Sequence, residues 1–280
     1  MYYLLLLSTV CSLAGYAYAY LFWGGPWRTL FWNEALLGEW VTRTSGRSWT
    51  DFVTDPAVGA AIDAGEAGVG LLLGATALVV AAGRRWTGRL WSVALGLGFL
   101  LLLAHALLVA WDRFLRPVEL FEYALRVAAP LLLYRAAVRG GCDSGLLRGI
   151  QLATALTFAA HGLYALGYYP VPGDFLGMTT GILGVGEGAA RSLLRAAGVL
   201  DLLVAVLVFV PRAAGVALGY AAAWGLATAL ARLAYGWGAG PLGEHLGQQG
   251  WAVLVRLGHA LIPLAGYLLW RELRKSRAKF

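Results

Sequence analysis

Eight stretches of this chain are each about as long and as apolar as a helix needs to cross a bilayer, and that feature limits the fold most. A spanning helix takes about 20 mostly apolar residues. The runs are Tyr3–Phe22, Pro56–Ala82, Thr87–Trp111, Pro117–Val138, Gly145–Gly167, Ala190–Val210, Ala213–Trp237 and Gly250–Trp270. Composition agrees: 60% of the 280 residues are hydrophobic and only 13% charged, with 38 glycines besides. A soluble domain carries roughly twice that charge, and disorder requires low hydrophobicity. Both are excluded. Two cysteines, Cys11 and Cys142, cannot build a disulfide framework or a four-cysteine metal site and read as free thiols. The expected fold is all-α, a polytopic transmembrane bundle of about eight spans.

Lysine and arginine set the expected orientation. With the N-terminus inside, Arg84, Arg85, Arg89, Arg135, Arg139, Arg148, Arg212, Arg271, Arg274, Lys275, Arg277 and Lys279 fall inside. Arg28, Arg43, Arg47, Arg113 and Arg116 fall outside, a ratio of twelve to five. The positive-inside rule then places both termini in the cytoplasm of a multi-pass inner-membrane protein. The net charge of +7 follows from this bias and calls for no nucleic-acid partner, although a basic tail could touch anionic lipid. Ala17-Tyr18-Ala19 resembles a signal cleavage site. No positive residue precedes the apolar run, however, and the run is long enough to span, so an uncleaved first helix is expected.

The runs divide into two sets of four with the same order of long and short connections. Gly24–Asp55 precedes the second run and Tyr168–Gly188 the sixth; neither is apolar enough to span. Gly24–Asp55 mixes Trp27, Trp32, Trp40 and Trp49 with charges, as an amphipathic segment at the headgroups does. Pro170 and Pro172 prevent one continuous helix in the other segment. Ala67-Gly68-Val69 matches Ala197-Gly198-Val199, and Ala104-His105 with Trp111 resembles Ala231-Arg232 with Trp237. Arg126, Pro130 and Tyr134 share their spacing with His259, Pro263 and Tyr267. Residues 1–138 and 139–280 therefore read as two parallel four-helix repeats about an axis along the membrane normal. The first carries the outer segment 24–55, the second the outer segment 168–188 and the basic tail.

Ionisable residues inside spans are costly, by about 2.5–3.5 kcal/mol each at mid-helix, and mark functional positions. Here they are Asp63, Glu66, His105, Glu119, Glu122, Arg126, His161, Arg191, Arg195, Asp201, Arg232, Arg256 and His259. In the orientation above, nearly all fall in the outer half of the membrane, which predicts a polar cavity open to the periplasm above an apolar plug. Arg191 and Arg195 share a helix face and need an anion: Asp63, Glu66 or a ligand's carboxylate or phosphate. Glu122 and Arg126 are spaced for an ion pair within one helix. His105, His161 and His259 lie on three different runs without metal-motif spacing, so hydrogen-bonded core roles compete with haem, metal and proton-relay roles. No metal site is assigned.

Phe158-Ala159-Ala160-His161-Gly162-Leu163, then Pro170 and Phe175-Leu176-Gly177-Met178, then Ala196-Ala197-Gly198-Val199-Leu200-Asp201-Leu202-Leu203 resemble the DoxX/DoxX-like superfamily over roughly Gly145–Tyr267. The first half looks like a diverged second copy, with Trp49-Thr50-Asp51-Phe52 where the outer segment would be and no His-Gly. The membrane domain of the vitamin K-dependent carboxylase group is a more distant look-alike. The resemblance implies a bacterial inner-membrane protein, often linked to quinone or thiol redox systems; a redox protein is the partner expected with that role, and a periplasmic protein docked on Gly24–Asp55 the partner expected of a scaffold. In that reading His161 and Asp201 handle protons. Arg191, Arg195, Arg232, Arg256, His259, Asp63, Glu66, His105, Glu122 and Arg126 surround the ligand, a quinone being the implied cofactor rather than haem. A small-anion transporter and a non-catalytic scaffold docking a periplasmic partner are the competing expectations.

Overall fold

The structure, a computed structural model, describes residues 1–138, 143–238 and 240–277. Arg139, Cys142 and Lys279 lie outside the described residues. All regular structure in the described residues is helical. In chain order it comprises α1 Tyr2–Phe22, α2 Trp27–Phe31, α3 Glu34–Ser45, α4 Trp49–Thr54, α5 Pro56–Ala82, α6 Arg84–Thr87, α7 Arg89–Asp112 and α8 Pro117–Glu122. It continues with α9 Ala124–Val138, α10 Ser144–Leu166, α11 Gly173–Leu183, α12 Glu187–Leu207, α13 Ala214–Ala234, α14 Leu242–Arg256 and α15 Gly258–Arg277.

Five helical stretches are long and apolar enough to cross a membrane: α1, α5, α7, α13, and α14 with α15 taken as one stretch, Leu242–Ser276. Such a set suggests a lipid bilayer as the environment. The other three expected spans differ for local reasons. The fourth breaks at Tyr123 into α8 and α9, so α9 has only 15 residues. Gln151, Thr154, Thr157 and His161 dilute the apolar face of α10. Glu187, Arg191, Arg195 and Asp201 do the same for α12.

α1, α9, α10 and α15 form the centre: α1 packs on α9 and α15, and α10 packs on the same two helices. α5 flanks α1 and is followed by α7, which returns to α9; α12 flanks α10 and is followed by α13, which returns to α15. The short α8 crosses to α10, and α14 crosses to α1. Each set of helices thus lays one segment on the first long helix of the other.

The buried core includes Leu5, Leu13, Trp91, Leu95, Leu102, Leu125, Leu133, Leu146, Ile150, Leu218 and Ile262. Small residues set the closest approaches. A side chain at Gly198 would meet the Gly162 carbonyl oxygen at 2.9 Å, so α12 lies backbone to backbone on α10. On α5 the glycine against the central helix is Gly70, not Gly68: a Cβ at Gly70 would come 3.2 Å from the Ala17 carbonyl oxygen, while Gly68 faces open space.

Pro130 and Pro263 lie inside α9 and α15. Each lacks the N–H that would bond to the residue four before it, leaving the carbonyls of Arg126 and His259 without their helical donor. Gly225 of α13 sits directly against that His259 carbonyl, where any Cβ would clash at 2.2 Å.

The two ends of the bundle differ in chemistry. At the end holding Met1, the last turn of α9 and the start of α10, Arg84 donates to the Ala137 carbonyl and Arg135 pairs with Asp143 at 3.0 Å. Asp143 caps α10 by accepting from the Leu146 amide at 2.5 Å, which with Arg135 holds its carboxyl below the usual range. The opposite, far end carries α2, α3, α4, α8, α11 and the start of α14. Asp55 caps α5 there, accepting from the Ala57 amide at 2.8 Å, and Pro56 takes the first helical position.

Candidate functional site

Most of the expected polar residues lie towards the far end, but they form two different environments. The first is closed. Glu66, 4% exposed, accepts the backbone N–H groups of Gly25 at 2.8 Å and Trp27 at 3.2 Å, tying the start of the outer segment to α5. Asp63, one turn away, pairs with Arg28. These carboxylates serve the chain's own backbone and Arg28, so they are not the counter-ions of Arg191 and Arg195. Arg191 instead pairs with Glu187, four residues earlier on α12, at 2.7 Å. Arg195 is exposed on the same helix.

His105 is also closed in. Its Nδ1 hydrogen-bonds the Tyr20 hydroxyl at 3.0 Å, and its ring lies 4.3 Å from that of Tyr16 and 5.5 Å from that of Tyr123. Glu119, 1% exposed, takes Arg113 at 2.8 Å and the Tyr164 hydroxyl. It joins α8 to α10.

The second environment lies at the α9–α10–α13–α14–α15 junction. Arg126 is 2% exposed. One of its nitrogens donates to the Tyr16 hydroxyl at 3.2 Å, and its guanidinium stacks 4.6 Å above the Tyr123 ring. Glu122 is its ion-pair partner at 3.6 Å, beyond hydrogen-bonding reach. Arg126 Nε and Nη2 are buried with no hydrogen-bond partner among the described residues. The His161 and His259 rings stand edge to face at 5.2 Å, and Phe175 of α11 packs on His161 at 6.0 Å. His259 Nε2 is buried and unpartnered. Arg232 reaches one acid, Asp174 of α11, at 3.3 Å, and its Nε is likewise unpartnered. Among the described residues Arg256 makes a single long hydrogen bond, of 3.5 Å to the Ala252 carbonyl.

A cavity of about 270 Å³ opens onto this cluster, lined by Asp174, Met178, Arg232, Trp251 and Arg256 among others. The charges of Arg126, Arg232 and Arg256 lie within mutual range, together with Glu122. Three guanidinium groups therefore share two carboxylates, Glu122 and Asp174, and Asp174 is mostly exposed. A buried cation without a full set of acceptors is costly. An electron-rich group entering the cavity would offer acceptors to Arg232 and Arg256, the two guanidinium groups that line it.

Asp201 stands apart on α12. It is 4% exposed and its Oδ1 has no hydrogen-bond partner. Among the described residues, no hydrogen bond or ion pair joins it to His161. Sequence reasoning did not pick out Tyr16, Tyr20 and Tyr123, which line the histidine and arginine sites, nor Asp174 as the partner of Arg232. Asp174 is the only charge between Tyr168 and Glu187, which was the available signal. Among the described residues, no group of three or more His, Cys, Asp and Glu side chains is placed to hold a metal.

No family model, no curated protein and no solved structure matches this chain.

Proposed function

We propose that this chain is a polytopic inner-membrane protein of eight spans, two parallel DoxX-like repeats of four, that binds a quinone headgroup as a membrane subunit of a redox system. In this reading the far end faces the periplasm and both termini lie in the cytoplasm. The packing supports the repeat: α1 with α5, α7 and α9 has the same neighbours as α10 with α12, α13 and α15. α8 and α14 also correspond, each crossing to the other half.

The single observation that carries the binding reading is the under-satisfied cationic cluster beside the cavity. A quinone carbonyl accepts hydrogen bonds from arginine and histidine donors. The cavity is slightly smaller than a typical small-molecule pocket of about 300–1,000 Å³. It would take a polar headgroup and leave an isoprenoid tail among the lipids. His161 and His259 lie behind the cavity lining, and in this reading the ring pair relays protons to the headgroup, with His259 rather than Asp201 as the neighbour of His161 at 5.2 Å.

Native mass spectrometry with an optical spectrum of gently solubilised protein tests this. A co-purifying quinone lost in His161→Ala supports the reading. Protein carrying only phospholipid overturns it.

The positive excess at Arg126, Arg232 and Arg256 favours a second reading, a small-anion carrier. Anion uptake into liposomes that Arg256→Gln abolishes would establish it.

A further inference from the structure

A second cavity, of about 410 Å³, lies at the opposite end of the molecule, where α10 begins, α12 ends and α15 runs out. Three arginines from three separate elements line it: Arg148 in the first turns of α10, Arg212 in the α12–α13 connection and Arg274 near the end of α15. No acidic residue lines it, and none of the three forms a salt bridge among the described residues. Nearby Arg135, by contrast, is neutralised by Asp143.

The cavity has a fixed back. Gln151, 8% exposed, donates to the Val208 carbonyl at 2.6 Å. Trp270 Nε1 donates to the Pro211 carbonyl at 3.3 Å, and the Arg274 guanidinium lies 5.3 Å over the Trp270 ring. Leu147, Phe209 and Leu273 complete the apolar wall.

We infer that this cavity binds the phosphate headgroup of an anionic phospholipid. Arginine forks match phosphate oxygens in geometry and charge. Basic pockets between helices at a membrane surface, flanked by tryptophan, are suited to anionic headgroups. Inorganic phosphate shares the same chemistry, but the leucine and phenylalanine wall gives it nothing to contact, and the volume exceeds what it needs. The wall fits the glycerol and first methylenes of a lipid. This site is independent of the far-end cluster and of any quinone there.

The test uses the full chain in nanodiscs of phosphatidylcholine with equal phosphatidylglycerol, released into native mass spectrometry. Two triple variants remove the same charge from the same end: Arg148→Gln, Arg212→Gln, Arg274→Gln within the cavity, and Arg89→Gln, Arg271→Gln, Lys275→Gln outside it. Wild-type protein retains phosphatidylglycerol over phosphatidylcholine; the cavity variant loses about tenfold of that preference and the outside variant keeps it. Equal loss in both variants, or no preference in wild type, overturns the inference. So does inorganic phosphate at millimolar concentration displacing the retained phosphatidylglycerol from the wild-type protein. If the cavity triple variant fails to fold, Arg212→Gln alone replaces it, since Arg212 lies in a connection and its side chain makes no hydrogen bond or ion pair among the described residues.

Discussion

Two polar regions meet at the far end of this molecule, and they treat their charges in opposite ways. Around α5 and the outer segment, each acid is used by the chain: Glu66 by two backbone amides, Asp63 by Arg28, Glu119 by Arg113 and Tyr164. Around α9, α13 and α14 the cations outnumber the acids, and Arg126, Arg232 and His259 keep buried nitrogens without partners. The first region is a clamp, whose carboxylates are satisfied and whose work is positional. In the proposed reading the second is a receptor surface: Arg232 and Arg256 line a cavity through which further acceptors can arrive. The presence of charge alone does not distinguish the two; the buried arginine and histidine nitrogens left without partners in the second do.

The largest effect is expected at Arg126. Arg126→Met strips the partly buried Glu122 of its partner, removes the buried guanidinium from Tyr16 and should cost about 3 kcal/mol, read as a fall in the thermal unfolding midpoint in lipid nanodiscs. The double variant Glu122→Gln with Arg126→Met should recover most of that loss. Failure to recover would mean that Arg126 acts through Tyr16 and Tyr123 rather than through Glu122.

Glu66→Gln comes next. It weakens two charge-assisted hydrogen bonds, at about 1–3 kcal/mol in all. The effect should be local: faster proteolysis within residues 24–55, with ligand content unchanged. Loss of ligand together with the clamp would show that the regions are coupled.

Arg232→Gln and Arg256→Gln reverse that pattern. Each should lower retention of the native ligand about tenfold, equivalent to about 1.4 kcal/mol. The unfolding midpoint should hold or rise, since an under-paired buried cation is removed.

The sequence carried the helical class and the clustering of charge at one end, because apolar runs and intramembrane arginines are strong local signals. It did not carry the division between clamp and receptor. Asp63 and Glu66 look identical in kind to Glu122, and only tertiary structure brings Arg28, Gly25 and Trp27 to the first pair. Arg191 and Arg195 looked like a shared anion site from their spacing, yet Glu187, one turn back, was the nearer partner. The breaks at Tyr123 and Leu257 were also hidden. They sit a few residues before Pro130 and Pro263, where the long runs continue in composition but not in geometry. Which α5 glycine packs against α1 was not legible, because a Gly-rich helix presents several equivalent faces; packing selects Gly70.

The smallest effect concerns the edge of the clamp. The Ala57 amide and then Arg47 hold the Asp55 carboxyl below its ordinary value. Its contribution is therefore present above the unfolded carboxylate range and is lost as pH falls through the depressed value. Hydrogen exchange across residues 46–60, corrected for intrinsic rates, should rise in acid. Asp55→Asn keeps the cap and should flatten that dependence. The receptor region should show no matching change.

The most direct measurement is the density inside the Arg232–Arg256 cavity in a cryo-electron microscopy map of the protein in native-lipid nanodiscs. The account predicts a non-protein group with an acceptor atom within hydrogen-bonding reach of both guanidinium groups. A cavity closed by protein acceptors, with Arg126, Arg232 and His259 fully satisfied from within the chain, would contradict it and make both regions clamps.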